Sequence, residues 1–140
     1  SLEASVFGLE EDVSGNLTIE YTRVNIYNGE ISFEMKGDKE IARTIEGISE
    51  EVVSIKILQE EANGTPSVIC FLTRPGNVYY IDREMINSNI FTAKKLTNLK
   101  EIVSIEIAET TYSGSMHSNT TLIATTYNGE KIDILTSKLR

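Results

Sequence analysis

The sequence predicts an all-β domain built from three repeats of about fifty residues, each of up to four antiparallel strands in a propeller-like arrangement. Three observations carry that expectation. Isoleucine, threonine and valine contribute 18, 14 and 8 residues, a β-branched total of 40 in 140, and side chains branched at Cβ are stiff in helices and pack well on pleated surfaces. The segment Glu51-Val52-Val53-Ser54-Ile55-Lys56-Ile57 returns as Glu101-Ile102-Val103-Ser104-Ile105-Glu106-Ile107 with apolar and polar positions in step, and self-similarity at a fixed period marks a repeat architecture. The tetrapeptide Tyr27-Asn28-Gly29-Glu30 returns unchanged as Tyr127-Asn128-Gly129-Glu130, with Arg74-Pro75-Gly76-Asn77 in the middle slot. Asn-Gly signals a tight hairpin because both residues tolerate positive φ.

Within each unit the elements follow one order. A first strand (Val6 to Leu9, Val52 to Leu58, Ile102 to Ala108) leads into a polar loop carrying Gly15, Gly64 or Gly114. A second strand follows (Leu17 to Ile26, Val68 to Thr73, Leu122 to Tyr127), and the chain reverses at the hairpin signal into a third (Glu30 to Met35, Val78 to Ile81, Lys131 to Leu135). A fourth segment, Glu40 to Ile48 or Ile90 to Leu99, closes the first two units and has no counterpart in the third. Ile41, Ile45 and Ile48 also fit the apolar stripe of a helix, so strand and helix both remain open for 40–48. The units, approximately 1–48, 49–99 and 100–140, are not divided by a Pro/Gly/Ser-rich linker, so 1–140 reads as a single domain. A start at Ser1 rather than Met reads as processing or as a piece of a longer chain.

Composition narrows the class of partner. With 40% hydrophobic and 24% charged residues the chain is globular, and at this length it buries enough surface to fold without a disulfide or metal. Cys70 is the single cysteine, flanked by Ile69 and Phe71, and reads as a small core hydrophobe. The net charge of −8 is lopsided: residues 1–61 carry fourteen acids and five bases, the rest seven acids and eight bases. Nucleic acid and anionic membrane both demand a basic patch, which is missing here. The sequence contains neither an apolar run long enough to span a bilayer nor a positively charged leader before an apolar segment.

The stretch from Lys94-Lys95-Leu96 through Leu99 and Ile102-Val103-Ser104-Ile105, followed by a glycine turn and an alternating strand, resembles blades of the regulator-of-chromosome-condensation type. The resemblance covers most of the second and third units. It lacks the Gly-His that usually follows the first strand and the Trp-Gly that usually ends the third, and it implies blade geometry without nucleotide-exchange activity. Because three blades do not readily close a ring, a propeller reading implies pairing of two chains or a longer repeat protein. The rival architecture is a β-trefoil, whose three repeats close on themselves at this length; no Gln-x-Trp pattern of lectin trefoils is present.

Candidate sites follow from position. Tyr27, Asn28, Arg74, Asn77, Tyr127 and Asn128 fall where the second and third strands meet, and tyrosine with Asn and Arg is the composition of contact surfaces. They form the expected interaction surface for a protein partner. A second cluster sits past the first strands: Glu10, Glu11 and Asp12 in the first unit, Glu60 and Glu61 in the second, Glu109 in the third. If the units are related by rotation these acids share a rim, where hard oxygens would hold Ca²⁺; no other cofactor is expected. His117, the one histidine, lies in a loop of hydroxyls with no carboxylate to orient it, and no catalytic triad or metal spacing is found, so an enzyme is not expected. Sequons at Asn16, Asn63 and Asn119 lie in the loops between first and second strands and matter only in a glycosylating compartment. The expected function is a non-catalytic interaction scaffold, with a carbohydrate-binding trefoil as the alternative. Apolar end faces on the first and last units are expected to drive a homodimer.

Overall fold

A computed structural model of the chain describes residues 2–11, 17–36, 40–59, 66–111 and 118–137. It is all-β, with three separate antiparallel sheets, none closed on itself. β1 (Leu2–Glu11), β2 (Leu17–Tyr27), β3 (Glu30–Lys36) and β4 (Glu40–Ile45) form the first in chain order. β5 (Val52–Leu58), β6 (Val68–Thr73), β7 (Val78–Asp82) and β8 (Lys94–Lys95) form the second. β9 (Ile102–Thr111), β10 (Ser118–Thr126) and β11 (Lys131–Asp133) form the third. Each sequence repeat therefore folds as its own up-and-down meander.

The middle sheet is the core of the molecule. Successive side chains of a strand point to opposite faces, and a strand covered on both faces reads as a continuous apolar run. β6 is such a strand, buried at all six positions. One face of the middle sheet supplies Ile55, Ile57, Ile69, Phe71 and Ile81 to a core shared with Val24, Ile31, Phe33 and Ile45 of the first sheet. Its other face supplies Leu58, Val68, Cys70, Leu72 and Val78 to a core shared with Ile102, Ile105, Leu122 and Ala124 of the third. Each fully buried Ile, Leu or Phe contributes about 1.5–3 kcal/mol. The three sheets thus stack face to face, with β1 beside β5 and β5 beside β9.

Among the residues whose side chains are described, the outward faces of the first and third sheets carry polar pairs, with Ile123 among them on the third. On the first, Arg23 and Glu34 sit opposite each other in the ladder and form an ion pair at 2.6 Å. On the third, Thr121 donates to Asp133 at 2.6 Å and Lys131 donates to Thr125 at 3.3 Å. In β10 the alternation puts Leu122 and Ala124 in the core and Thr121, Ile123 and Thr125 on the outward face.

The fourth segments also differ from expectation. Residues 40–45 are strand rather than helix because Ile45 pairs with Ile31 and enters the first core while Arg43 and Thr44 stay exposed. In the second unit only Lys94–Lys95 is strand, and it is preceded by α1 (Arg83–Asn87). Asp82 caps α1, its carboxylate accepting from the Met85 N–H at 2.9 Å, and Asn89 ends the turn region at φ 57, the left-handed conformation Asn tolerates after helices. In the third unit the third strand stops at Asp133, and a single helical turn, α2 (Ile134–Ser137), buries Ile134 and Leu135 in the second core.

Candidate functional site

The six residues expected to form a contact surface stand at the hairpins joining the second and third strands of each sheet, but the identical tetrapeptides fold differently. Tyr27-Asn28-Gly29-Glu30 is a two-residue hairpin: Tyr27 pairs with Glu30, and Asn28 and Gly29 take φ of 50 and 81, the positive pair a type I′ turn requires. In Tyr127-Asn128-Gly129-Glu130 only Gly129 has positive φ, and the closing bond runs from the Thr126 N–H to the Glu130 carbonyl at 2.8 Å. This is a three-residue loop, repeated at Arg74-Pro75-Gly76, where the Thr73 N–H bonds the Asn77 carbonyl at 2.9 Å. The residue before the turn accounts for the difference. Thr73 and Thr126 offer hydroxyls that accept from the N–H groups of Asn77 and Glu130 at 3.3 and 3.1 Å, whereas Ile26 holds that place in the first unit.

The longer turns coincide with a bulge in the facing strand. Val52 faces Thr73 and Ser54 faces Leu72, so Val53 has no cross-strand partner; likewise Val103 is skipped between Ile102 and Ser104. A bulge re-aims a side chain, and here both valines are turned out, Val103 to 56% exposure. The turns are then sewn to the strand starts. The Arg74 N–H bonds the Glu51 carbonyl at 2.8 Å and the Tyr127 N–H bonds the Glu101 carbonyl at 2.9 Å, while the Ile102 N–H bonds the Gly76 carbonyl at 3.0 Å, joining the middle unit to the third.

Two clefts result, one at each boundary between units. The first, about 570 Å³, is lined by Asn28, Gly29, Glu50, Glu51 and Val52 together with Leu2, Ile26, Ile31 and Ile48. The second, about 340 Å³, is lined by Arg74, Pro75, Gly76, Glu101, Ile102, Val103 and Tyr127. Between them stands an ion pair: Arg74 donates to both carboxylate oxygens of Glu51 at 2.6 and 3.0 Å, which holds the Glu51 carboxyl below its ordinary range and raises the guanidinium. Tyr27 and Tyr127 are 71% and 78% exposed.

Asn77 belongs to a different structure. Its amide donates to both oxygens of Glu50 at 3.0 and 2.9 Å, and Tyr79 and Thr73 add hydroxyl donations at 2.9 and 3.2 Å. These donors, Asn77 foremost, keep the Glu50 carboxyl below its ordinary value, while burial and the bond to Glu50 push the Tyr79 phenol up. Asn77 thus braces the turn, while Tyr27, Asn28, Arg74, Tyr127 and Asn128 are exposed, as are Val53 and Val103. The consecutive apolar pairs Val52-Val53 and Ile102-Val103, out of step with alternation, were the signal for those two.

Of the acidic rim, Asp12, Glu60 and Glu61 lie outside the described residues. Glu10 and Glu11 pair through their backbone with Thr18 and Leu17 at the end of β1, and Glu109 is exposed near the end of β9. Among the described residues no group of three His, Cys, Asp or Glu is placed to hold a metal, and no helix is long and apolar enough to cross a membrane. His117 also lies outside the described residues. Cys70 is fully buried, its thiol pushed up to about 12 by desolvation, as a core residue requires. No family model, curated protein or solved structure matches the chain.

Proposed function

We propose that the protein is a non-catalytic interaction module, a scaffold of propeller-like blades that binds a protein partner on the rim formed by its second-to-third strand turns. The observation that carries this reading is the exposed surface spanning the two clefts, where Tyr27, Arg74, Val103 and Tyr127 stand out of the sheets. Large, rigid aromatic area with polar handles favours association because little side-chain entropy is lost on contact. Each unit keeps its strands in its own sheet and the first strands of successive sheets are neighbours. That arrangement supports the blade reading over a trefoil, in which strands of all three units share one barrel. Polar pairs such as Arg23–Glu34 on the outward face of the first sheet favour the rim over the end sheets as the contact surface.

A photocrosslinking amino acid at position 27 or 127, compared with one at Ser104 on the outward face of the third sheet, tests the assignment. Adducts to a protein concentrated at 27 and 127 are expected. Equal capture at 104, or none at the rim, would contradict it.

A further inference from the structure

The first and middle units differ in how the turn after the second strand meets the start of the next unit. In the middle unit Gly76 lies against the start of β9: the Ile102 N–H bonds its carbonyl at 3.0 Å, and a Cβ on it would come within 3.0 Å of Glu101 Cα. In the first unit the hairpin is one residue shorter, and a Cβ on Gly29 would meet nothing within 4 Å. The gap beside Gly29 is the cleft of about 570 Å³ between the first and second units. Its floor is apolar. Leu2, Ile26, Ile48 and Val52 pack against the first core yet stay only half-buried, and all four line the cleft. A concave apolar site of this size with a few placed polar groups is the form that ligand pockets take.

The charged groups of the cleft are carboxylates. Among the described residues its lining includes Glu50 and Glu51 and neither lysine nor arginine. Glu51 is neutralised by Arg74, which donates to both its oxygens. Glu50 has no such partner. Asn77, Tyr79 and Thr73, which donate to it, are neutral, and Lys95 acts on it only by Coulomb attraction, the weakest influence on its carboxyl. The same donors fix what Glu50 can still bind. Its Oε1 accepts from all three, its Oε2 from Asn77 alone, and because each carboxylate oxygen has two lone pairs the open acceptor place is on Oε2. One open place suits the point charge of an ammonium rather than the two-pronged fork of a guanidinium. The donors also hold the carboxylate still before a ligand arrives, so little is lost in ordering it.

We propose that this cleft binds a primary alkylammonium, its chain on Leu2, Ile26, Ile48 and Val52 and its ammonium on Glu50. A lysine side chain of a partner and a free alkylamine share that chemistry. The site stands on the cleft itself and does not depend on the rim having a protein partner. The probes are hexylammonium, hexanol, methylammonium and Nα-acetyl-lysine amide, each titrated at low salt against the intact chain while the amide chemical shifts of Asn28, Gly29 and Ser49 are followed. Hexylammonium should shift these amides saturably and bind at least about tenfold tighter than hexanol or methylammonium. Glu50→Gln should weaken it about tenfold. Ser49→Lys, at an exposed position of the lining, brings a competing ammonium to the cleft without removing any bond to Glu50 and should weaken it as much. Glu106→Gln, at an exposed position on the third sheet, should change nothing, and circular dichroism checks that each variant is folded. Hexanol binding as tightly would reduce the effect to apolar burial, and methylammonium binding as tightly would reduce it to charge. Either result overturns the proposal, as does the absence of a saturable shift or indifference to both cleft variants. Nα-acetyl-lysine amide matching hexylammonium supports the proposal with a partner's lysine as occupant; hexylammonium binding without it supports the proposal with a free amine.

Discussion

The side-chain amide of Asn77 spans the carboxylate of Glu50, 3.0 and 2.9 Å from its two oxygens, and so ties the chain entering the middle sheet to the hairpin that carries Arg74. Charge-assisted bonds to a carboxylate are stronger than neutral ones, and these favour the ionised form. A carboxyl lowered in the folded state adds stability that is complete above its ordinary value of 4.5 and is lost as pH falls through the lower folded value. The Glu50→Gln chain should be less stable than wild type at pH 7, with the difference shrinking as pH falls below about 4.5. Urea unfolding across that range checks it, and parallel pH curves would contradict it.

Gly76 is required twice over. Its φ is 95, and a Cβ there would lie 3.0 Å from both Glu101 Cα and Ile102 N, backbone atoms that cannot swing aside. Gly129, with φ 85, has open space around it. Both alanine variants incur the left-handed cost of about 1 kcal/mol, and Gly76→Ala should add about 1–2 kcal/mol of steric strain. Paired denaturant melts measure the difference; equal losses would mean that the boundary between the second and third units is loose.

Cys70 reports on the stacking of the second and third sheets, since its thiol faces the core they share. Labelling by a thiol reagent at pH 8 should proceed only through opening of that core, and Cys70→Ser should cost about 1–3 kcal/mol by burying a hydroxyl. Rapid labelling of the native chain would show that the second core is not closed.

Thr126→Val keeps shape and removes the hydroxyl that accepts the Glu130 N–H at 3.1 Å. The expected loss is about 1 kcal/mol, with chemical-shift changes at Asn128 and Gly129 as the loop relaxes. Unchanged shifts would mean that the loop length is set elsewhere.

These turns also mark the limit of what the sequence makes legible. The repeat of Glu51–Ile57 at Glu101–Ile107 and the Asn-Gly signals located three meanders and the rim, because apolar alternation and positive φ are local properties. Two identical tetrapeptides with different loops could not be told apart from within, since the deciding hydroxyl lies one residue earlier, on Thr126 against Ile26. Asp82 is a capping signal that ordinary capping rules recognise, and α1 fills 83–87, between the expected third and fourth strands of the unit. Arg74 and Tyr127 were placed together by counting, while the exposure of Val103 depends on a register shift across a ladder, which pairing decides. The turn position of Asn77 is visible in the sequence, whereas its bond to Glu50, 27 residues away, is not.

The proposed rim requires the turns at Tyr27 and Tyr127 to stand at the same edge of the stacked sheets. Nitroxide labels on cysteines at positions 27 and 127, with Cys70 left in place because its burial protects it, measure that directly by pulsed dipolar spectroscopy. Two face-to-face steps put the attachment points about 20 Å apart, with a single narrow distribution. A mean beyond about 40 Å, or a broad distribution without a peak, would contradict the stacked arrangement and the shared rim with it.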